Sequence, residues 1–169
     1  MRNTTAEADE RAEHVLTSNA DDLLAYPIRR MDSQDAPDTL SEVFATAWRR
    51  RDRIPADERQ ARMWLFVIAR NVASNTRRAN VRAQIVTDRP RSTLMMARGA
   101  FPGDEDDARA REVREAVADL PARQRELVRL VHWDGFSLSK AAQIAGMRAS
   151  TARTHYGRAR ARLAAELAG

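Results

Sequence analysis

The sequence predicts an all-α protein: two small helical domains joined by a flexible linker, the C-terminal one containing a helix-turn-helix. Three observations carry that prediction. Apolar residues recur at helical spacing along most of the chain, and no sustained period-2 alternation bounded by turn residues accompanies them. Pro90, Gly99, Pro102, Gly103 and the acidic cluster Asp104–Glu105–Asp106–Asp107 interrupt the pattern in the middle. Near the end, a short apolar segment, a glycine and a longer cationic segment follow one another.

Composition bounds the chemistry. Of 169 residues, 43% are hydrophobic and 31% charged, enough for a core and too apolar for wholesale disorder. There is no cysteine, which excludes disulfides, Cys-ligated zinc, iron–sulfur clusters and a thiol nucleophile, and fits a reducing compartment. The start, MRNTTAEADERAEHV, is polar and acidic, without a signal-peptide apolar core. No apolar run approaches the roughly 18 residues of a membrane span. A cytoplasmic protein is expected. Charge alternates in blocks: net −6 over residues 1–47, +9 over 48–98, −4 over 99–119 and +6 over 120–169. Two basic blocks suggest two surfaces that meet a polyanion, or two solvated faces.

The first helix is expected over Ala20–Met31, with Leu23, Leu24 and Ile28 as its apolar face and a kink or break at Pro27, which lacks an amide hydrogen. The second begins near Asp35, with Pro37 in its first turn. Leu40, Val43, Phe44, Ala47 and Trp48 follow at i, i+3, i+4, i+7, i+8, one apolar stripe. The third spans about Glu58–Arg78, with Leu65, Ile68, Ala69 and Val72 inward and Arg70, Asn71, Ser74, Arg77 and Arg78 on a cationic face. Three such helices pack as a bundle. Beyond the linker, helices Ala108–Asp119 and Ala122–Trp133 are separated by Leu120–Pro121, with Leu127, Leu130 and Val131 inward and a turn at Asp134–Gly135.

Ser137 is placed to cap a short helix, Leu138–Ala145, and Gly146 to make its tight exit. A second helix starts near Ser150 and runs to about Leu167. Ala152, Tyr156, Ala159 and Leu163 lie inward, and Thr151, Thr154, His155, Arg158 and Arg162 fall on another face. That is the helix-turn-helix arrangement, in which arginine and threonine reach base edges in the major groove. On the pattern alone, a helical hairpin with a solvated basic face remains open.

Longer motifs narrow the choice. Leu120–Pro121–Ala122–Arg123–Gln124–Arg125–Glu126, then Gly135–Phe136–Ser137–Leu138, Ala149–Ser150–Thr151–Ala152–Arg153–Thr154 and Arg158–Ala159–Arg160–Ala161–Arg162–Leu163, resemble region 4 of the sigma-70 family, extracytoplasmic-function (ECF) group. Independently, Asp35–Ala36–Pro37–Asp38, Glu42–Val43–Phe44 and Ala47–Trp48–Arg49 resemble the polymerase-binding helix of region 2. Trp64–Leu65–Phe66–Val67–Ile68–Ala69–Arg70–Asn71, with Asn75 and Arg77–Arg78, resembles its promoter-melting helix. Pro37, Ser41 and Lys140 depart from the family's usual acidic residue, glutamine and glutamate.

The resemblance implies an RNA polymerase sigma factor with region 2 at residues 14–82, a linker at 83–108 and region 4 at 109–169. It implies core polymerase binding, on the β′ clamp helices and the β flap, through Asp38, Leu40, Glu42 and Val43, while Phe44 and Trp48 are read as core. Arg70, Asn71, Ser74, Asn75, Arg77 and Arg78 would meet the −10 element, with the Arg53–Arg62 loop helping to form a pocket for a flipped base. Arg148, Ser150, Thr151, Arg153, Thr154, His155 and Arg158 would meet the −35 element. An anti-sigma protein is the implied inhibitor. No cofactor, metal or catalytic residue is assigned: neither a phosphate-cradling glycine loop nor a nucleophile–base constellation is present. The rival reading is a helix-turn-helix regulator acting on duplex DNA without core polymerase.

Overall fold

The computed structural model describes residues 3–31, 34–87 and 108–168. Among them are eight α-helices, one 3-10 turn and no strand. The chain divides into two compact units, residues 1–99 and 100–169. The linker expected at 83–108 lies mostly outside the described residues.

In the first unit α1 (Asn3–Ser18), α2 (Ala20–Ile28), α3 (Ala36–Arg49) and α4 (Glu58–Thr87) enclose one core. Helix α1 lies outside the helices the sequence predicts, because it contributes little more than Ala12 and Val15 to the interior. Asn19 joins it to α2: its side-chain amide donates to the Val15 carbonyl over 2.8 Å, satisfying an acceptor the helix end leaves open. Pro27 lies in the last turn of α2, and the helix stops one residue later. The break expected there is thus a helix end, where the Pro27 carbonyl accepts from the Arg30 and Met31 amides. Tyr26 meets Phe66 of α4 edge to face, with ring centroids 5.5 Å apart, an arrangement the ring quadrupoles favour. The Arg30 and Arg62 guanidinium groups stand over those two rings.

Helix α3 starts as expected, with Asp35 at its N-cap and Pro37 in the first turn. Its buried line is Ala36, Thr39, Val43 and Ala47. The expected stripe is therefore rotated: Leu40 and Phe44 are half-buried on the flank, and Trp48 is 42% exposed rather than core. Small residues at 36, 39 and 47 bring α3 close to α4, which leaves its bulkier residues at the edges. Arg51, in the 3-10 turn Arg51–Arg53, stands over one face of the Trp48 ring. Helix α4 buries Leu65, Ile68, Ala69 and Val72 as expected, and it continues past Arg78 to Thr87.

The second unit packs α5 (Ala108–Asp119), α6 (Ala122–His132), α7 (Leu138–Ile144) and α8 (Ala149–Glu166). Val117, Leu120, Val128 and Ala159 form a buried cluster, flanked by Val113, Trp133, Tyr156 and Leu163. Leu127, Leu130 and Ile144 are also fully enclosed. Both ends of α7 have the expected chemistry. The Ser137 hydroxyl accepts from the Lys140 amide at 3.4 Å. Gly146 has φ 65°, a left-handed conformation that costs an L-residue roughly 1–2 kcal/mol. The Gly146 amide donates to the Gln143 carbonyl and the Met147 amide to the Ala142 carbonyl, which satisfies these two orphan acceptors of α7.

Candidate nucleic-acid interface

Helices α3 and α4 run antiparallel. Asp35, at the start of α3, accepts from the Asn80 side chain of α4 over 2.8 Å. The other end of α3 leads through the 3-10 turn into the start of α4. Between the two lies a surface groove of about 470 Å³. Ile68 and Val72 supply its apolar part, Asn71, Asn75 and Thr76 the polar side of α4, and Glu42, Thr46, Arg49 and Arg50 the facing side of α3.

The groove therefore joins residues that the sequence assigned to two different partners. Of the six residues expected at the −10 element, Asn71 and Asn75 line it, one turn apart. Arg70, Ser74, Arg77 and Arg78 are not among its lining residues, and no residue of the Arg53–Arg62 loop lines it either. Arg78 folds back over the same stretch of helix, donating to the Ser74 hydroxyl at 3.3 Å and to the Asn75 side-chain carbonyl at 3.2 Å. Arg70 donates to the Asn71 side-chain oxygen at 3.4 Å.

Across the groove, one Arg49 Nη2 donates to Glu42 Oε1 and to the Thr46 hydroxyl, each over 2.8 Å. Thr46 in turn donates to Glu42 Oε1 at 3.0 Å. The Arg49 hydrogen bond, the Thr46 hydrogen bond and the Arg49 charge together hold the Glu42 carboxyl below its ordinary range. Of the residues expected to bind polymerase, Asp38 and Glu42 are exposed and Leu40 is half-buried. Val43 is 1% exposed, so its side chain supports α3 from within rather than offering contact. Ser41 stands where a longer side chain was expected, and its hydroxyl donates back to the Pro37 carbonyl at 3.0 Å.

The corner that follows α3 is braced by α1. Arg11 donates to the Pro55 and Ala56 carbonyls at 3.0 and 2.7 Å and pairs with Glu58, while Asp9 pairs with Arg51. These partners lie more than 40 residues apart, and sequence reading missed all of them.

In the second unit, α8 presents its N-terminal half outward. Arg148 is its N-cap residue, so the helix begins at Ala149, one position before the start expected near Ser150. Arg148, Ser150, Arg153, Thr154 and Arg158 are exposed, and Thr151 and His155 are half-buried. Ala152 and Ala159 are fully buried beneath them. Tyr156 is held to α6: its hydroxyl lies 2.8 Å from His132 Nε2, and the rings stack with centroids 6.1 Å apart. His132, which the sequence left without a role, thus ties α8 to α6.

A helix-turn-helix whose second helix carries an exposed cationic face, in a chain with a polar groove on another helical unit, defines a DNA-binding protein. Comparison with known proteins specifies which. The sigma-70 region 2 family matches residues 16–83 and the sigma-70 region 4 family residues 110–163. The RNA polymerase sigma-E factor of Streptomyces antibioticus is 33% identical over 92% of this chain and 83% of its own length. The ECF RNA polymerase sigma factor SigC of Mycobacterium tuberculosis is 32% identical over 96% and 87%. The sigma factor RpoE of Bartonella quintana, solved with the anti-sigma factor NepR, shares the fold at TM-score 0.68 and 22% identity, over 99% of this chain and 98% of that one. CnrH, solved with the cytosolic domain of CnrY, does so at TM-score 0.60 and 23% identity, over 95% and 94%. The chain belongs to the sigma-70 family, in its ECF group: it is an RNA polymerase sigma factor, which binds core polymerase and promoter DNA. No helix among the described residues is long and apolar enough to cross a membrane.

Proposed function

We propose that the two units divide promoter recognition by the state of the DNA. The groove between α3 and α4 takes unpaired bases of the −10 element, and the outer face of α8 reads the −35 element as duplex. The observation that carries this reading is the pairing of Asn71 and Asn75 across from arginines in a concave site. Asparagine amides present a donor and an acceptor together, which match a base edge. Apolar Ile68 and Val72 suit the face of a base out of its stack, and Arg50 suits a backbone phosphate. Arg70, Ser74, Arg77 and Arg78 carry the strand beyond the groove. On α8, Arg148, Ser150, Thr151, Arg153, Thr154, His155 and Arg158 serve the duplex, some to phosphates and some to base edges.

Helix α3 docks on the β′ clamp helices through Asp38 and Glu42, with Leu40 adding apolar contact and Val43 support, and region 4 docks on the β flap. Region 2 comprises residues 14–82, the linker 83–108 and region 4 109–169, although α4 continues to Thr87. The protein works in the cytoplasm and performs no catalysis of its own. An anti-sigma protein is its inhibitor, a reading supported by the structural relative solved in such a complex.

Run-off transcription with core polymerase on a library of promoter fragments tests the scheme. Initiation from a subset sharing two elements is expected, with Asn71→Ala altering preference at the upstream edge of melting and Arg153→Ala altering it at the −35 element. Tight binding to duplex operators without any association with core polymerase would replace the scheme by the regulator reading.

A further inference from the structure

Among the described residues that line the α3–α4 groove, Glu42 is the one acid, beside two cations, Arg49 and Arg50. Arg49 spends its Nη2 on Glu42 and Thr46, so the groove meets a polyanion with one of its two positive charges cancelled. Yet the same carboxylate is an exposed group on the helix that docks on polymerase. One side chain therefore faces two demands.

We propose that Arg49 is a nucleic-acid contact held off by Glu42: once a basic side chain of the polymerase takes the Glu42 carboxylate, the Arg49 guanidinium turns into the groove and meets a phosphate of the single strand. The inference rests on the groove reading above and adds a residue that reading does not contain. The exchange is easy because both side chains are largely exposed, 60% for Arg49 and 55% for Glu42, and such pairs are weak in water. It is specific because Thr46 bonds both members, so the guanidinium can leave while the threonine hydroxyl stays on the carboxylate. The depressed Glu42 carboxyl, caused first by Arg49, marks the two as coupled in the unbound chain. Binding to core polymerase then raises affinity for the melted strand without any rearrangement of the helices.

The test uses the full-length chain alone and a fluorescein-labelled single-stranded DNA of mixed sequence, read by anisotropy over a salt series. Glu42→Gln mimics loss of the carboxylate to a partner. It should tighten binding by about two- to fivefold at low salt, the factor an exposed ion pair is worth. It should also steepen the slope of log K against log salt by about 0.7, the value for one added single-strand phosphate contact. In an Arg49→Gln background the same change should produce neither effect. An equal gain with or without Arg49 would mean simple relief of repulsion and would overturn the proposal, as would an unchanged slope. Asn71→Ala with Asn75→Ala separates the two readings. If that pair weakens binding while the Glu42–Arg49 cycle shows no coupling, only this proposal falls. If it leaves affinity unchanged, the groove reading falls and takes the proposal with it.

Discussion

In the first unit the polar surface is a groove between two helices, whereas in the second it is the outside of one. The difference follows from what lies beneath. Small residues on α3 bring it close to α4, so side chains from both helices crowd a shared concavity. On α8, buried Ala152 and Ala159 set the helix against its neighbours, Tyr156 and Leu163 pack beside them, and Arg153, Arg158, Arg160 and Arg162 are exposed on the outside. A convex helix fits the major groove of intact duplex. A concavity with amides and an apolar floor fits a base only after it has left the stack. On the function proposed above, the two shapes would separate the two steps of finding a promoter and opening it.

The comparison breaks most visibly through the cores. Phe66→Ala should cost about 3–5 kcal/mol, because the ring is fully buried and edge-on to Tyr26. Hydrogen exchange on the full chain should then show lost protection across α2–α4 with α6–α8 unaffected; uniform loss would show that the units do not fold separately. Next in size, Arg153→Ala should cost about 1–3 kcal/mol in holoenzyme binding to promoters that carry a −35 element. The same assay on fragments lacking that element should show little change. A smaller pair of opposite signs tests the second unit alone. Gly146→Ala should destabilise by roughly 1–2 kcal/mol, since φ there is 65°. Gly157→Ala should stabilise by about 0.5–1 kcal/mol, since a Cβ at that α8 position meets open space. Thermal melting of both variants reads the difference.

The smallest effect lies in the groove. The folded-state pKa of Glu42 is lowered, so its contribution to stability is present above the ordinary value of 4.5 and is lost as pH falls through the lower, folded value. Wild type should therefore exceed Glu42→Gln in stability near neutrality and converge with it in acid. A constant gap across that range would mean that the carboxylate is not engaged by Arg49.

Legibility in the sequence followed periodicity. Leu65, Ile68, Ala69 and Val72 announce the buried side of α4, and Ser137 and Gly146 announce the ends of α7, because local spacing and local backbone chemistry decide them. Helix α1 is silent: Ala12 and Val15 are too few to stand out among acidic neighbours. The end of α4 is silent for a related reason, since its exposed extension, with Val81 47% exposed, has no core to face. Trp48 misleads because an apolar stripe says which residues share a face, not how far that face turns toward the partner helix. The recognition residues of α8 could be read singly, from one helix. The groove could not, because Thr46 and Arg49 join Asn71 and Asn75 only after α3 and α4 pack.

The α1 brace bears on folding order. Its contacts close between residues 42 to 47 positions apart, whereas helical turns close within four. Contacts of such separation carry a larger loop-closure entropy and form after the local ones. During synthesis Arg11 and Asp9 leave the ribosome long before Pro55 and Ala56 exist as acceptors. The corner at residues 51–58 then sets only after the local helical turns, and the helix that braces it is the first part made. A chain trimmed to residue 16, where the family match begins, keeps every side chain of the groove and loses the clamp on its adjoining corner.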